Sequence, residues 1–192
     1  MKTKTIAAIA VFTAISVALV LSPAKFPAPF APFLKYQIWE IPIVVAFLLY
    51  GPSVGFSTSI INTMVLLAVY PGDLPISPLY NLAAVLSMLL GVYIIQRFAS
   101  YFTRGPKILV ILSTALGCVL RVGFMSVVNW AFLRYPYPIG YNMPVEAIVA
   151  MLPIIGLFNA TVALYTIPLS YIISRAARAD SGHFLWERSR ED

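Results

Sequence analysis

Charge is scarce in this chain. Asp, Glu, Lys and Arg make up 10% of its 192 residues, hydrophobic residues make up 60%, and the mean hydropathy is +0.88. A soluble domain carries roughly 25% charged residues, so the composition excludes one and points to an integral membrane protein. Cysteine and histidine are almost missing. Cys118 lies inside an apolar run and has no second cysteine to pair with, so no disulfide forms within the chain. The single histidine, His183, lies in the polar C-terminal tail, which argues against a buried zinc site built on imidazole. Walker and HExxH signatures are absent, and no two carboxylates sit together inside an apolar segment for acid–base work. The chain therefore reads as a non-enzyme and a poor self-sufficient active transporter. A passive binder that draws energy from a partner fits better. The net charge of +6 does not indicate nucleic acid, because the basic residues gather at the ends of apolar runs, as membrane topology requires.

What is abundant is apolar sequence. Helices are expected over residues 5–21, 53–69, 77–98, 107–133 and 145–173, with a shorter, partial span over 38–50. Ser77-Pro78 and Gly105-Pro106 place proline at a first helical position, Tyr70-Pro71-Gly72-Asp73 reads as a turn, and Pro153 and Pro168 are expected to kink the last helix. The first run is kept as a helix, because Ser22-Pro23-Ala24 is a poor signal-peptide cleavage site. Pro23, Pro27, Pro29 and Pro32 exclude a helix between the first two spans. That stretch is either a stiff connector or a lid. Lys2, Lys4, Arg97, Arg104, Lys107, Arg175, Arg178, Arg188 and Arg190 fall on one side. Lys25, Lys35, Glu40, Asp73, Arg134 and Glu146 fall on the other. The expected fold is thus an all-α integral membrane bundle of six transmembrane helices. Its N- and C-termini are inside, a proline-rich outer loop joins the first two helices, the membrane domain covers 1–178, and a charged cytoplasmic tail covers 179–192.

Polar residues inside apolar helices need a partner or a task. Arg121 is the sharpest case. Counting ~1.5 Å per residue from Lys107 places it roughly 20 Å from the inner surface, where no acidic residue is expected at the same depth. It either meets an anionic ligand group or satisfies buried carbonyls. Glu40, Asn81 and Asn129 are expected in the outer half and Asn159 nearer the middle, with Trp39, Tyr80 and Trp130 beside them in sequence. Amides between aromatic walls suit a planar, hydrogen-bonding small molecule, although the same aromatics also suit an interfacial belt and the asparagines also suit helix-to-helix contacts. Ala10, Ala14 and Ala18 recur at four-residue spacing, a face that lets another helix approach closely, whether one of this chain's own or a partner's.

Three stretches carry a family resemblance: AIAVFTAISVALVL in the first helix, FLKYQIWEIPIVVAFLLYGPSVGFSTSIIN across residues 33–62, and NWAFLRYPY after the fifth helix. The chain resembles, from about residue 6 to 173, the substrate-binding S-components of energy-coupling factor (ECF) vitamin transporters. The second stretch is similar to the FLK…D-I-P…GP-x-x-G…N pattern of riboflavin-type members. The resemblance implies a six-helix bundle in the cell membrane that binds a vitamin near its outer face under the first loop, with riboflavin as the transported ligand and no cofactor. It implies partners as well: a transmembrane coupling subunit met by the Ala10, Ala14 and Ala18 face, two cytosolic ATPases, and membrane lipid. Transport would proceed by toppling of the subunit in the membrane. Trp39, Glu40, Tyr80, Asn81, Arg121, Asn129, Trp130 and Asn159 are the expected ligand contacts. Glu40 is compatible with the acidic residue those members favour before Ile-Pro. Val162 departs from the family, since a lysine often stands three residues after the asparagine at the place of Asn159. Arg121 supplies a charge from another helix, or the ligand differs. Three alternatives are another vitamin, a membrane enzyme acting on lipid or isoprenoid substrates, and an assembly protein without a ligand.

Overall fold

The computed structural model describes residues 3–69, 74–102 and 105–179. Among them are α1 (Thr3–Leu21), β1 (Phe26–Ala28), β2 (Ala31–Tyr36), α2 (Glu40–Tyr50), α3 (Pro52–Val69), α4 (Ser77–Phe102), α5 (Pro106–Phe132) and α6 (Val145–Ala179). Of these helices, α1, α3, α4, α5 and α6 are long and apolar enough to cross a bilayer. Much of their apolar surface is exposed, including Val11, Met64, Ile111, Val119 and Ile172, as expected where lipid rather than protein is the neighbour. The chain is a multi-pass membrane protein.

α2 is the exception, and it organises the others. At 11 residues it is about 16 Å long, half a hydrocarbon core. Ile43, Val44, Val45, Ala46, Phe47 and Leu48 are all buried, so the helix is apolar all round and has neighbours on every side. It packs against α1, α3, α4 and α6. The main core gathers Val20 of α1, Ile43, Phe47 and Leu48 of α2, Leu66 of α3, Met88 and Leu89 of α4, and Ala163 and Ile167 of α6. The expected partial span is thus the central helix of the bundle. It reverses directly into α3 at Gly51, whose φ of 95° and ψ of 173° suit glycine alone. A Cβ on Gly91 of α4 would fall 2.6 Å from the Gly117 backbone of α5, so glycine lets the two helices approach closely there.

The described residues are helical apart from the proline-rich connector and the turns between helices, and the connector forms a small hairpin. β1 and β2 pair antiparallel, Phe26 opposite Tyr36 and Pro27 opposite Lys35, with an irregularity between Pro27 and Ala28. A two-stranded ribbon has only edge strands, so Pro27 and Pro32 cost it few ladder bonds. Helix ends also differ from expectation. α4 continues to Phe102, and α6 continues through the basic turn to Ala179, where Arg178 Nη2 donates to the Leu48 carbonyl at the end of α2 (2.9 Å). Pro153 and Pro168 lie inside α6 without ending it. The expected turn at 70–73, Lys2, Arg104, His183 and the tail from 180 lie outside the described residues.

Candidate ligand-binding site

The hairpin returns the chain to the bundle at Trp39 and Glu40, both buried. Glu40 opens α2, where a carboxylate is favoured by the helix dipole. Arg121 lies about 22 Å along α5 from its start. The two meet as a bidentate pair: Arg121 Nη2 donates to Glu40 Oε1 (2.9 Å) and Nη1 to Oε2. Nε donates to Asn159 Oδ1 on α6 (3.0 Å), and Nη1 also approaches Met88 Sδ on α4 (3.6 Å). Arg121, Glu40 and Asn159 are 3%, 4% and 5% exposed. Four helices therefore converge on one guanidinium. The expectation that no acid shares its depth is overturned, because α2 is short and its N-terminal end is set deep in the bundle beneath the hairpin.

Two charges removed from water are tolerable only when paired and hydrogen-bonded, and here both conditions are met. The fork-on-fork geometry fixes both planes. Asn159 is held in turn by Nδ2 donating to the Ile155 carbonyl (2.9 Å), which aims Oδ1 at Arg121. Each Glu40 oxygen keeps a lone pair, and Asn159 keeps one N–H, so the cluster retains capacity for a neutral polar ligand.

The hairpin is fastened to the same helix. Phe158, Thr161 and Tyr165 follow one another at three- and four-residue spacing and so share a face of α6. The Tyr36 ring stacks on Phe158 (4.9 Å between centroids), its hydroxyl bonds Thr161 Oγ1 (2.7 Å), and the Tyr165 hydroxyl donates to the Gln37 carbonyl (2.6 Å). A cleft of about 330 Å³ opens between hairpin and helix, lined by Ala24, Phe26, Tyr36, Gln37, Ile38, Thr161 and Tyr165. That size falls in the range of small-molecule pockets. Gln37 Oε1 is buried without a hydrogen-bond partner, an acceptor open to an N–H or O–H from a ligand.

The expected contacts divide into two groups. Trp39, Glu40, Arg121 and Asn159 come together. Tyr80 and Asn81 lie near the N-terminal end of α4, and Asn129 and Trp130 near the C-terminal end of α5. Asn129 is buried and its Nδ2 donates to the Met125 carbonyl (2.7 Å). Asn81 is half-buried. The Tyr80 hydroxyl donates to the Ile139 carbonyl (2.9 Å), holding the loop between α5 and α6. Trp130 is 45% exposed and carries the Arg134 guanidinium 4.2 Å above its ring, an interfacial arrangement. Gln37, Thr161 and Tyr165 were not anticipated, although the helical phase of NATVALY places the last two on one face. Ala10, Ala14 and Ala18 are exposed and line an apolar groove of about 800 Å³ with Thr13, Ile61 and Val65, a face that the described helices leave uncovered.

No protein-family model matches the chain. A curated relative, the riboflavin transporter RibU of Staphylococcus aureus (strain TCH60), is 27% identical over 129 residues, which cover 67% of this chain. The match spans 65% of that relative's length. A solved structure of the S component of a bacterial ECF transporter superposes with a TM-score of 0.75 at 22% identity, covering 95% of this chain and all of the other. The fold is the S-component fold.

Proposed function

We propose that the chain is the substrate-binding membrane subunit of an ECF-type vitamin transporter and that its ligand is riboflavin. The observation that carries this is the buried Glu40–Arg121–Asn159 cluster lying beneath a hairpin, in a chain with the S-component fold and a riboflavin transporter as relative. A flavin presents a planar ring for Tyr36 and Tyr165, with ring N–H, carbonyls and chain hydroxyls for Gln37, Glu40 and Asn159. Such groups match the unspent donors and acceptors of the site.

The basic residues support an N-in, C-in orientation in the cell membrane. Lys4, Arg97, Lys107, Arg175 and Arg178 occupy the ends of helices expected to face the cytoplasm. The hairpin then faces outward and receives the vitamin. The exposed face of Ala10, Ala14 and Ala18 meets a helix of the coupling subunit, since small residues allow the close backbone approach that holds helices together in lipid. Two cytosolic ATPases energise release. The protein itself binds and does not catalyse, and Asn81, Asn129, Tyr80 and Trp130 form the outer rim of the site.

Cellular uptake tests this directly. Cells lacking their own riboflavin uptake should accumulate the vitamin when this chain is expressed with an ECF coupling subunit and its ATPases, and not when the chain is omitted. Equal accumulation with and without it would refute the proposal.

A further inference from the structure

α2 is gripped at both ends. Its first residue, Glu40, takes the Arg121 guanidinium, and its last turn takes a second guanidinium, that of Arg178. The final carbonyls of a helix have no donor within it. Here the Gly51 N–H returns to the Phe47 carbonyl (3.0 Å), but Pro52 follows and has no N–H to offer Leu48. Leu48 is 0% exposed, so water does not supply the missing donor. Arg178 does, from the last turn of α6, with Nη2 2.9 Å from the Leu48 carbonyl oxygen. A carboxylate at a helix N-terminus and a cation at its C-terminus both suit the helix dipole. α2 therefore carries complementary charges at its two ends, about 12 Å apart between Glu40 and Leu48 at ~1.5 Å per residue.

We propose that Arg178 is a positioning residue for the ligand site: by holding the Leu48 end of α2 it fixes where Glu40 sits at the other end, and with it the retention of the ligand. The inference rests on the vitamin-binding function proposed above. α2 and α6 run in step, since Ser170 Oγ approaches the Ile41 carbonyl (3.4 Å) and Arg178, eight residues on, reaches Leu48, seven residues on. The same α6 carries Asn159, the third member of the buried cluster. Loss of the Arg178 contact leaves a buried carbonyl unsatisfied and lets α2 shift against α6, which misplaces Glu40 relative to Asn159. Control of ligand retention is thus placed at the end of the bundle opposite the hairpin. Arg175, three residues earlier on α6, is exposed and supplies the comparison of equal charge.

The test is stopped-flow dissociation of riboflavin from the purified full chain. Arg178→Ala should release it about 3–10-fold faster, the share of one charge-assisted hydrogen bond that is felt at the far end of α2. Arg178→Lys keeps a cation beside the Leu48 carbonyl and should recover most of the wild-type rate. Arg175→Ala removes an equal charge one turn away and should leave the rate unchanged. Should Arg178→Ala fail to fold, Arg178→Gln, which keeps a shorter, neutral donor, is read in its place. A purely structural role for Arg178 lowers the unfolding midpoint and leaves the folded variants at the wild-type dissociation rate, and that result overturns the inference. Equal acceleration by Arg175→Ala overturns it as well, since surface charge is then the cause. A ligand-free measurement separates the positioning role from the function on which it rests. With Trp130 and Trp186 replaced by Phe, Trp39 beside Glu40 is the one indole left, and acrylamide should quench it more strongly once Arg178→Ala is added. A wild type that binds no riboflavin overturns the vitamin assignment. Stronger Trp39 quenching then still supports the positioning of α2 by Arg178, and unchanged quenching overturns it.

Discussion

Losing both halves of the Glu40–Arg121 pair should cost well under the sum of losing each alone. Both residues are buried, at 3% and 4% exposed, and joined by two hydrogen bonds, so neither recovers water when the other is lost. At an effective dielectric constant of ~20, two unit charges at ~4 Å interact by about 4 kcal/mol. Deleting one partner of a buried pair costs about 3–5 kcal/mol, because the survivor stays desolvated. Glu40→Gln and Arg121→Gln should therefore each destabilise by about 3–5 kcal/mol. The double variant should fall well short of their sum, with a coupling of about 2–3 kcal/mol. The loss reaches beyond the pair, since Arg121 also ties α5 to Asn159 and touches Met88 on α4. The assay is denaturant unfolding in detergent micelles, followed by tryptophan fluorescence, with Trp39 next to Glu40 as a buried reporter. Additive single and double effects would refute the claim that the two charges stabilise each other.

Three further outcomes are expected. Asn159→Ala removes the acceptor of Arg121 Nε and a ligand contact, and should weaken riboflavin binding by about 1–3 kcal/mol in an equilibrium titration with the fold retained. Tyr165→Phe loses the hydroxyl that holds the Gln37 carbonyl. It should release bound riboflavin several-fold faster in stopped-flow dissociation, consistent with about 1 kcal/mol for one hydrogen bond, and an unchanged rate would separate hairpin fastening from ligand retention. Ala14→Trp fills the exposed groove on α1 and should leave riboflavin binding intact while abolishing co-purification with a coupling subunit. Co-purification at normal yield would place the contact elsewhere.

Much of the fold is legible in the sequence because lipid imposes simple demands. Apolar length reports α1, α3, α4, α5 and α6, Gly51-Pro52 marks the reversal, and Gly105-Pro106 marks the start of α5. The placement of α2 was not legible. Eleven apolar residues look the same in a peripheral half-span and in a central helix, and only tertiary packing separates them. The hairpin was hidden because proline argues against strands, and it argues weakly at an edge. Pairing of Glu40 with Arg121 spans 81 residues and depends on how deep the hairpin sets the end of α2, which no local pattern encodes. Asn129 and Trp130 are neighbours in sequence but not in orientation. One residue is ~100° of helix, so Asn129 faces inward while Trp130 turns out beneath Arg134. Asn159, expected as a ligand contact, is buried and accepts a hydrogen bond from Arg121 Nε.

The most direct test of the proposed function is an absorbance and fluorescence spectrum of the detergent-purified protein, followed by titration with riboflavin. The account predicts a yellow preparation carrying flavin, or a colourless one that binds added riboflavin saturably and quenches its fluorescence against Tyr36 and Tyr165. A colourless preparation that leaves riboflavin fluorescence unchanged at every protein concentration would contradict it.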